Sequence, residues 1–79
     1  MRIDKFLKVS RLIKRRTVAN EACEHGRISV NDKVVKPAYD VKIGDVISIR
    51  FGEKVTRIRV LSLEEHIRKD DAGSMFEAF

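Results

Sequence analysis

The sequence predicts an α+β fold. Near the N-terminus, apolar residues recur at helical spacing. A stripe of small residues follows at the same spacing, and from residue 28 the pattern changes to alternation. Two helices therefore pack on a small, mostly antiparallel sheet, and a short C-terminal helix and tail complete the order. With 79 residues the chain is one domain that buries only about 60–65% of its unfolded surface.

Residues 3–10 fit the first helix. At 100° per residue, Ile3, Phe6, Leu7 and Ser10 share one face, while Arg2, Lys5 and Lys8 share the other. Basic residues continue every third position through Arg11 and Lys14, so a longer helix would turn them into its apolar face. The helix should end near Ser10, leaving 11–16 as a basic loop pinned by Leu12 and Ile13. Thr17 is a good N-cap for the second helix, and Glu21 suits the positive end of its dipole. Val18, Ala19, Ala22 and Cys23 form its buried stripe. Gly26 is the stop signal, and His25 serves at the surface or the C-cap.

The strands come next. Ile28 and Val30 alternate with Arg27, Ser29 and Asn31, and Asn31-Asp32 turns the chain into 33–36, which Pro37 ends. Tyr39 packs in the following loop, and Lys42-Ile43-Gly44-Asp45 is another turn. Ile47, Ile49 and Phe51 face inward, so Phe51 joins Phe6 in the core. Gly52-Glu53-Lys54 leads to a partner strand over 55–61 with Ile58 and Val60 inward. Ser62-Leu63-Glu64-Glu65 reads as a capping box that opens a helix to about Lys69. Met75, Phe76 and Phe79 are apolar enough to dock on the sheet.

Charge gives the first functional indication. Residues 1–16 hold seven basic residues against Asp4 alone, about +6; the rest holds ten basic and eleven acidic, about −1. The net charge of +5 thus sits in one short stretch, which attracts a polyanion. Nucleic acid is the first candidate and an anionic membrane surface the second. Against the membrane, the first helix is short, lacks Trp, and needs Ile3, Phe6 and Leu7 for the core. No apolar run approaches the roughly 20 residues that cross a bilayer. Cys23 stands alone beside two histidines, so neither an internal disulfide nor a structural zinc site can form, in keeping with a reducing cytoplasm. Cys23 and His25, two apart, point away from each other on a helix, and no glycine-rich phosphate loop occurs. The chain reads as a non-enzyme without cofactor or metal.

The candidate binding residues follow from this charge. Arg2, Lys5 and Lys8 line one helix face, and Arg11, Lys14, Arg15 and Arg16 line the loop. Arg15-Arg16 abuts a helix N-terminus, where backbone N–H groups favour an anion and two guanidiniums can fork onto phosphate. Asp4 either stabilises the first turn and orients an arginine such as Arg16, or accepts a hydrogen bond from a base or ribose hydroxyl. Arg50, Arg57 and Arg59 share the outer face of the second hairpin and read as solvated.

Four stretches carry a resemblance: Arg2-Ile3-Asp4-Lys5-Phe6-Leu7; the loop ending Lys14-Arg15-Arg16-Thr17; Gly26-Arg27-Ile28-Ser29-Val30-Asn31; and Lys42-Ile43-Gly44-Asp45. Together they resemble the S-four-type RNA-binding domain, whose helix–loop–helix–strand core is the alpha-L motif. The resemblance covers roughly residues 1–62, leaving 63–79 as the C-terminal helix and tail. It implies RNA contact by Arg2, Asp4, Lys5, Lys8, Arg11, Lys14, Arg15, Arg16, Thr17 and Arg27. Members often carry Gly after the Asn of the first hairpin; Asp32 stands there here, which leaves the turn type open. The length and the run from Lys8 to Arg16 look most like the small ribosome-associated quality-control factors related to heat-shock protein fifteen. That likeness implies binding to large-subunit rRNA and peptidyl-tRNA; the chain itself reads as a monomer. It also implies support for a partner that adds C-terminal alanine to stalled peptides. A recycling factor of the heat-shock-protein-fifteen kind, with no tailing role, is the alternative.

Overall fold

The computed structural model describes all 79 residues. Helix α1 (Ile3–Val9) and helix α2 (Arg16–Glu24) precede strands β1 (Ile28–Val30), β2 (Lys33–Val34), β3 (Val46–Phe51) and β4 (Lys54–Val60). A 3₁₀ helix (Lys69–Met75) and strand β5 (Phe76–Ala78) close the chain. The sheet runs β2-β1-β3-β4-β5 and every pairing is antiparallel. The α+β class and the helix–loop–helix–strand core match the sequence expectation.

The helices cover one face of the sheet. Ile3, Phe6 and Leu7 of α1 meet Ile28, Ile47, Ile58 and Val60 of the strands in one core, with Ala19, Ala22 and Cys23 of α2 at its side. Ile13 is buried and holds the basic loop down, as expected. The N-terminus is stitched to the 37–41 segment: Ile3 N–H donates to Tyr39 O at 2.8 Å and Val41 N–H to Met1 O at 2.8 Å. This fixes Arg2 at the mouth of α1. The end of α2 is fixed by a Schellman pattern. Gly26 (φ 71°) donates to Cys23 O, and Arg27 donates to Ala22 O across the reversal, so the chain enters β1 at once with His25 exposed at the C-cap.

Four expectations need correction. Helix α2 begins at Arg16 with extended Arg15 as an N-cap that offers no side-chain bond, so Thr17 is not the cap. Arg16 reaches back to Asp4 on α1, and that contact starts the helix one residue early. Val18 is 40% exposed. The stripe facing α1 is Ala19, Ala22 and Cys23, at i, i+3 and i+4, and Val18 lies about 100° off its first member. Phe51 is 42% exposed, because β3 carries it past the edge of the helical layer. Residues 62–68 form no helix. Ser62 Oγ accepts from Glu64 N–H two residues on, not from Glu65 three residues on as a capping box requires. So short a helix would not form without tertiary support; instead Leu63 and Ile67 tuck individually against the core.

The tail joins the sheet. Val60 pairs with Phe76 and Arg59 with Glu77, while Leu61 N–H donates to Met75 O at 2.8 Å. Met75 is wholly buried, as a docked tail requires, though Phe79 remains 64% exposed beside Arg59.

Asn31 (φ 50°) and Asp32 (φ 70°) both take left-handed backbone, the type I′ geometry of a two-residue hairpin. Asp32 bears this conformation less comfortably than glycine. Its ion pair with Arg57, at 3.8 Å on an exposed edge, contributes little. Asp32→Gly should therefore raise stability by roughly 0.5–1 kcal/mol, read as a higher urea midpoint at unchanged slope.

Candidate nucleic-acid interface

Asp4 is the centre of the candidate interface. It lies in the first turn of α1, is only 2% exposed, and accepts from every side. Arg2 grips it in a fork, with Nε 3.2 Å from Oδ1 and Nη2 3.2 Å from Oδ2. Lys5 N–H donates to Oδ1 at 2.8 Å. From α2, Arg16 Nη2 and Asn20 Nδ2 approach at 3.4 Å each. Burial alone would push the carboxyl up. The hydrogen bonds from Arg2 and Asn20 and the charges of Arg16 and Arg2 outweigh it and hold the group below its ordinary 3.8. Asp4 is thus an ionised orienter of two arginines, the first of the two roles its sequence position allowed.

The guanidiniums are bound on one edge and open on another: the side chains of Arg2 and Arg16 are 50% and 48% exposed. Beside them, Asp4, Arg16, Thr17, Asn20 and Glu21 line a depression of about 380 Å³ at the N-terminus of α2. The first backbone bond there runs from Ala19 N–H to Arg15 O, and no acidic residue occupies the first turn. The N–H groups of Arg16, Thr17 and Val18 have no helical acceptor and favour an anion, against which the carboxylates of Asp4 and Glu21 stand in the same depression.

The other expected residues fall into two further places. Lys8 and Arg11 lie past Lys5 along α1 and its exit, and Lys14 and Arg15 project from the loop; all four are exposed and free of ion pairs. Lys5 itself is held by Glu65, Nζ to Oε1 at 2.6 Å. Arg27 is set apart. Since Ile28 and Val30 face the core, Ser29 faces away, and Arg27 joins Ser29, Ser48, Arg50 and Arg57 around a groove on the uncovered side of the sheet.

A model of the S4 domain matches residues 1–47. The chain belongs to the S4-domain family. The RQC P-site tRNA stabilizing factor of Halalkalibacterium halodurans is 53% identical over 77 residues, covering 98% of this chain and 88% of that protein. Its counterpart from Bacillus subtilis is 50% identical over 76 residues, covering 96% and 88%. The likeness places this S4 protein in their branch, as the residues suggested. The trimeric structure of Vibrio cholerae heat shock protein 15 matches all of this chain and 81% of that one, with a TM-score of 0.92 at 28% identity.

Within this S4 domain, sequence reasoning missed Asn20 and Glu65. Asn20 follows Arg16 by four residues, the spacing that puts two side chains on one helix face, and that signal was available. Glu65 is separated from Lys5 by 60 residues and gave none. Cys23 is a core residue: burial, with the nearby charges of Asp4 and Glu24, pushes its thiol up to about 11, so it carries no thiolate near neutrality.

The Asp4 cluster makes stability depend on acidity. Its folded pKa lies below the unfolded one, so its contribution is complete above about pH 5 and is lost as pH falls below 3.8 through the depressed folded value. Asp4→Asn should cost about 1–3 kcal/mol at neutral pH. It should also flatten the acid limb relative to the unaltered protein, measured by urea unfolding at a series of pH values.

Proposed function

We propose that this chain is a non-catalytic RNA-binding factor of ribosome-associated quality control. It binds the large ribosomal subunit that carries peptidyl-tRNA, contacts rRNA and the P-site tRNA, and supports C-terminal alanine tailing of stalled peptides. The observation that carries the RNA reading is the Asp4 cluster. Arg2 and Arg16 are oriented by one buried carboxylate beside the N-terminus of α2, whose first turn holds no acidic residue. The relatives' name, RQC P-site tRNA stabilizing factor, supports the tRNA and the pathway. The likeness to heat shock protein 15 favours, as a second reading, large-subunit recycling without tailing. A pull-down that recovers the alanine-adding factor on the same particle supports the first, and its absence from captured particles supports the second.

The shape of the positive surface supports contact with two RNAs. Arg2 and Arg16 meet at Asp4, Lys8 and Arg11 line a separate groove, and Lys14 and Arg15 are exposed on the loop. Two modest contacts on one rigid body combine through effective concentration. Binding should therefore weaken roughly ten-fold or more, about 1.4 kcal/mol, when peptidyl-tRNA is released from large subunits by puromycin or hydrolase. Co-sedimentation before and after release checks this.

Arg16→Ala should weaken subunit binding by about 1.5–3 kcal/mol, the value of a charge-assisted phosphate contact. Arg57→Ala should change it little, since Arg57 lies on the sheet face and already leans on Asp32. Sedimentation with both variants, folded alike by circular dichroism, compares them; equal losses would mean that the interface lies elsewhere.

A further inference from the structure

Ion pairs occupy Arg2, Lys5, Arg16, Arg57 and Arg59, but not Lys8, Arg11 or Arg68. These three converge on one groove of about 410 Å³. One wall is the end of α1 and its exit, from Lys8 through Val9 to Arg11. The other is the 65–68 segment, which contributes His66 and Arg68. The groove's single carboxylate, Glu65, is engaged by Lys5 at 2.6 Å, and that ion pair holds the second wall against α1. Like charges gathered around an unfilled space repel one another, and an anion between them relieves the repulsion.

The backbone points the same way. Arg11 sits at φ 63°, a left-handed conformation that a residue with a side chain disfavours. It is held there by Arg11 N–H donating to Lys8 O and Ile13 N–H to Leu7 O, both at 3.0 Å. The turn sends the next residues into the core and leaves Arg11 on the rim of the groove. The groove, about 410 Å³ and open to solvent, has room for a phosphate with its ribose. The apolar lining, Val9 and Ile67, is half-buried against the core and offers nothing to insert into a bilayer.

We propose that this groove is a second site for nucleic-acid backbone, in which Lys8, Arg11 and Arg68 hold the phosphates of an RNA strand and His66 adds a hydrogen-bond donor. It is separate from the depression at Asp4 and Arg16. No residue lines both: Asp4, Arg16, Thr17, Asn20 and Glu21 line the depression, whereas Lys8, Val9, Arg11 and the 65–68 segment line the groove. The two sites share no residue and engage different stretches of RNA. The proposal rests on the RNA-binding reading above and adds the 65–68 segment to it.

The test uses the full chain and a labelled RNA hairpin, with affinity measured across a salt series. Combining Lys8→Ala with Arg68→Ala should reduce the log–log salt slope by about two, roughly one per lost phosphate contact. Arg16→Ala should reduce it by about one, independently. In the unaltered chain, the backbone amide resonances of 65–68 should shift on adding the hairpin. Hairpin binding with an unchanged slope in the double variant, or with static 65–68 resonances, would overturn the groove and leave the general reading standing. Failure of the unaltered chain to bind RNA at all would overturn both. Anionic vesicles of phosphatidylglycerol and phosphatidylcholine form the last arm: capture by vesicles that the double variant loses, with its RNA binding intact, would overturn the proposal in favour of lipid.

Discussion

The arrangement of the N-terminal half depends on one buried carboxylate. Asp4 receives donors from its own helix, from the residue before that helix, and from α2. Without it, Arg2 and Arg16 would be neighbouring like charges at the contact between the helices. With it, they become the two sides of a bridge. The small residues Ala19, Ala22 and Cys23 let α2 approach closely enough for that bridge to close. Removing one member of such a cluster leaves the others uncompensated, which costs more than the contact itself is worth. Asp4 therefore fixes the direction of the arginines without silencing them. One charge cannot neutralise two, and each guanidinium has further donors to offer.

The remaining cations divide by partner. On the uncovered sheet face, Arg57 leans on Asp32, and Arg59 on Glu77 and on the ring of Phe79, 4.9 Å from its centroid. On the helical side, Lys8, Arg11, Lys14 and Arg15 have no such company. Arg27 and Arg50 on the sheet face are also without ion pairs, but the helical group is denser, since residues 1–16 carry about +6 and the rest about −1. Long-range attraction of a polyanion acts on the uncompensated charges, so the approach is directed to the helical side.

Much of this was legible in the sequence, because most elements show one face to a single core. The spacing of Ile3, Phe6 and Leu7, and the alternation around Ile47, Ile49 and Ile58, report burial directly. Legibility failed at element ends. Val18 lies at the margin of its helical stripe, and Phe51 obeys the period of its strand but lies where the covering layer stops; periodicity does not record where a neighbour ends. Thr17 has the chemistry of a cap, yet Arg16 took the first helical position because Asp4 attracts it. The 62–68 segment has the local signature of a helix start, but Leu63, Glu65 and Ile67 each find a separate partner. Three tertiary contacts outweighed one turn's propensity. Of the candidate interface, the cations were legible as a cluster. Their division between a depression and a groove was not, since it depends on residues more than fifty positions away.

The tail strand ties two distant parts of the chain together. Leu61 and Ser62 both donate to Met75 O, so the chain between them is a closed loop, and one side of that loop is the wall carrying Glu65, His66 and Arg68. Opening β5 releases the wall, and loosening the wall removes a restraint on β5. Whatever binds against 65–68 thus adds its free energy to the closure of the fifth strand, and a fraying strand subtracts the same amount from binding. The last few residues, which line neither the depression nor the groove, are in this way thermodynamic partners of the helix at the opposite end of the chain.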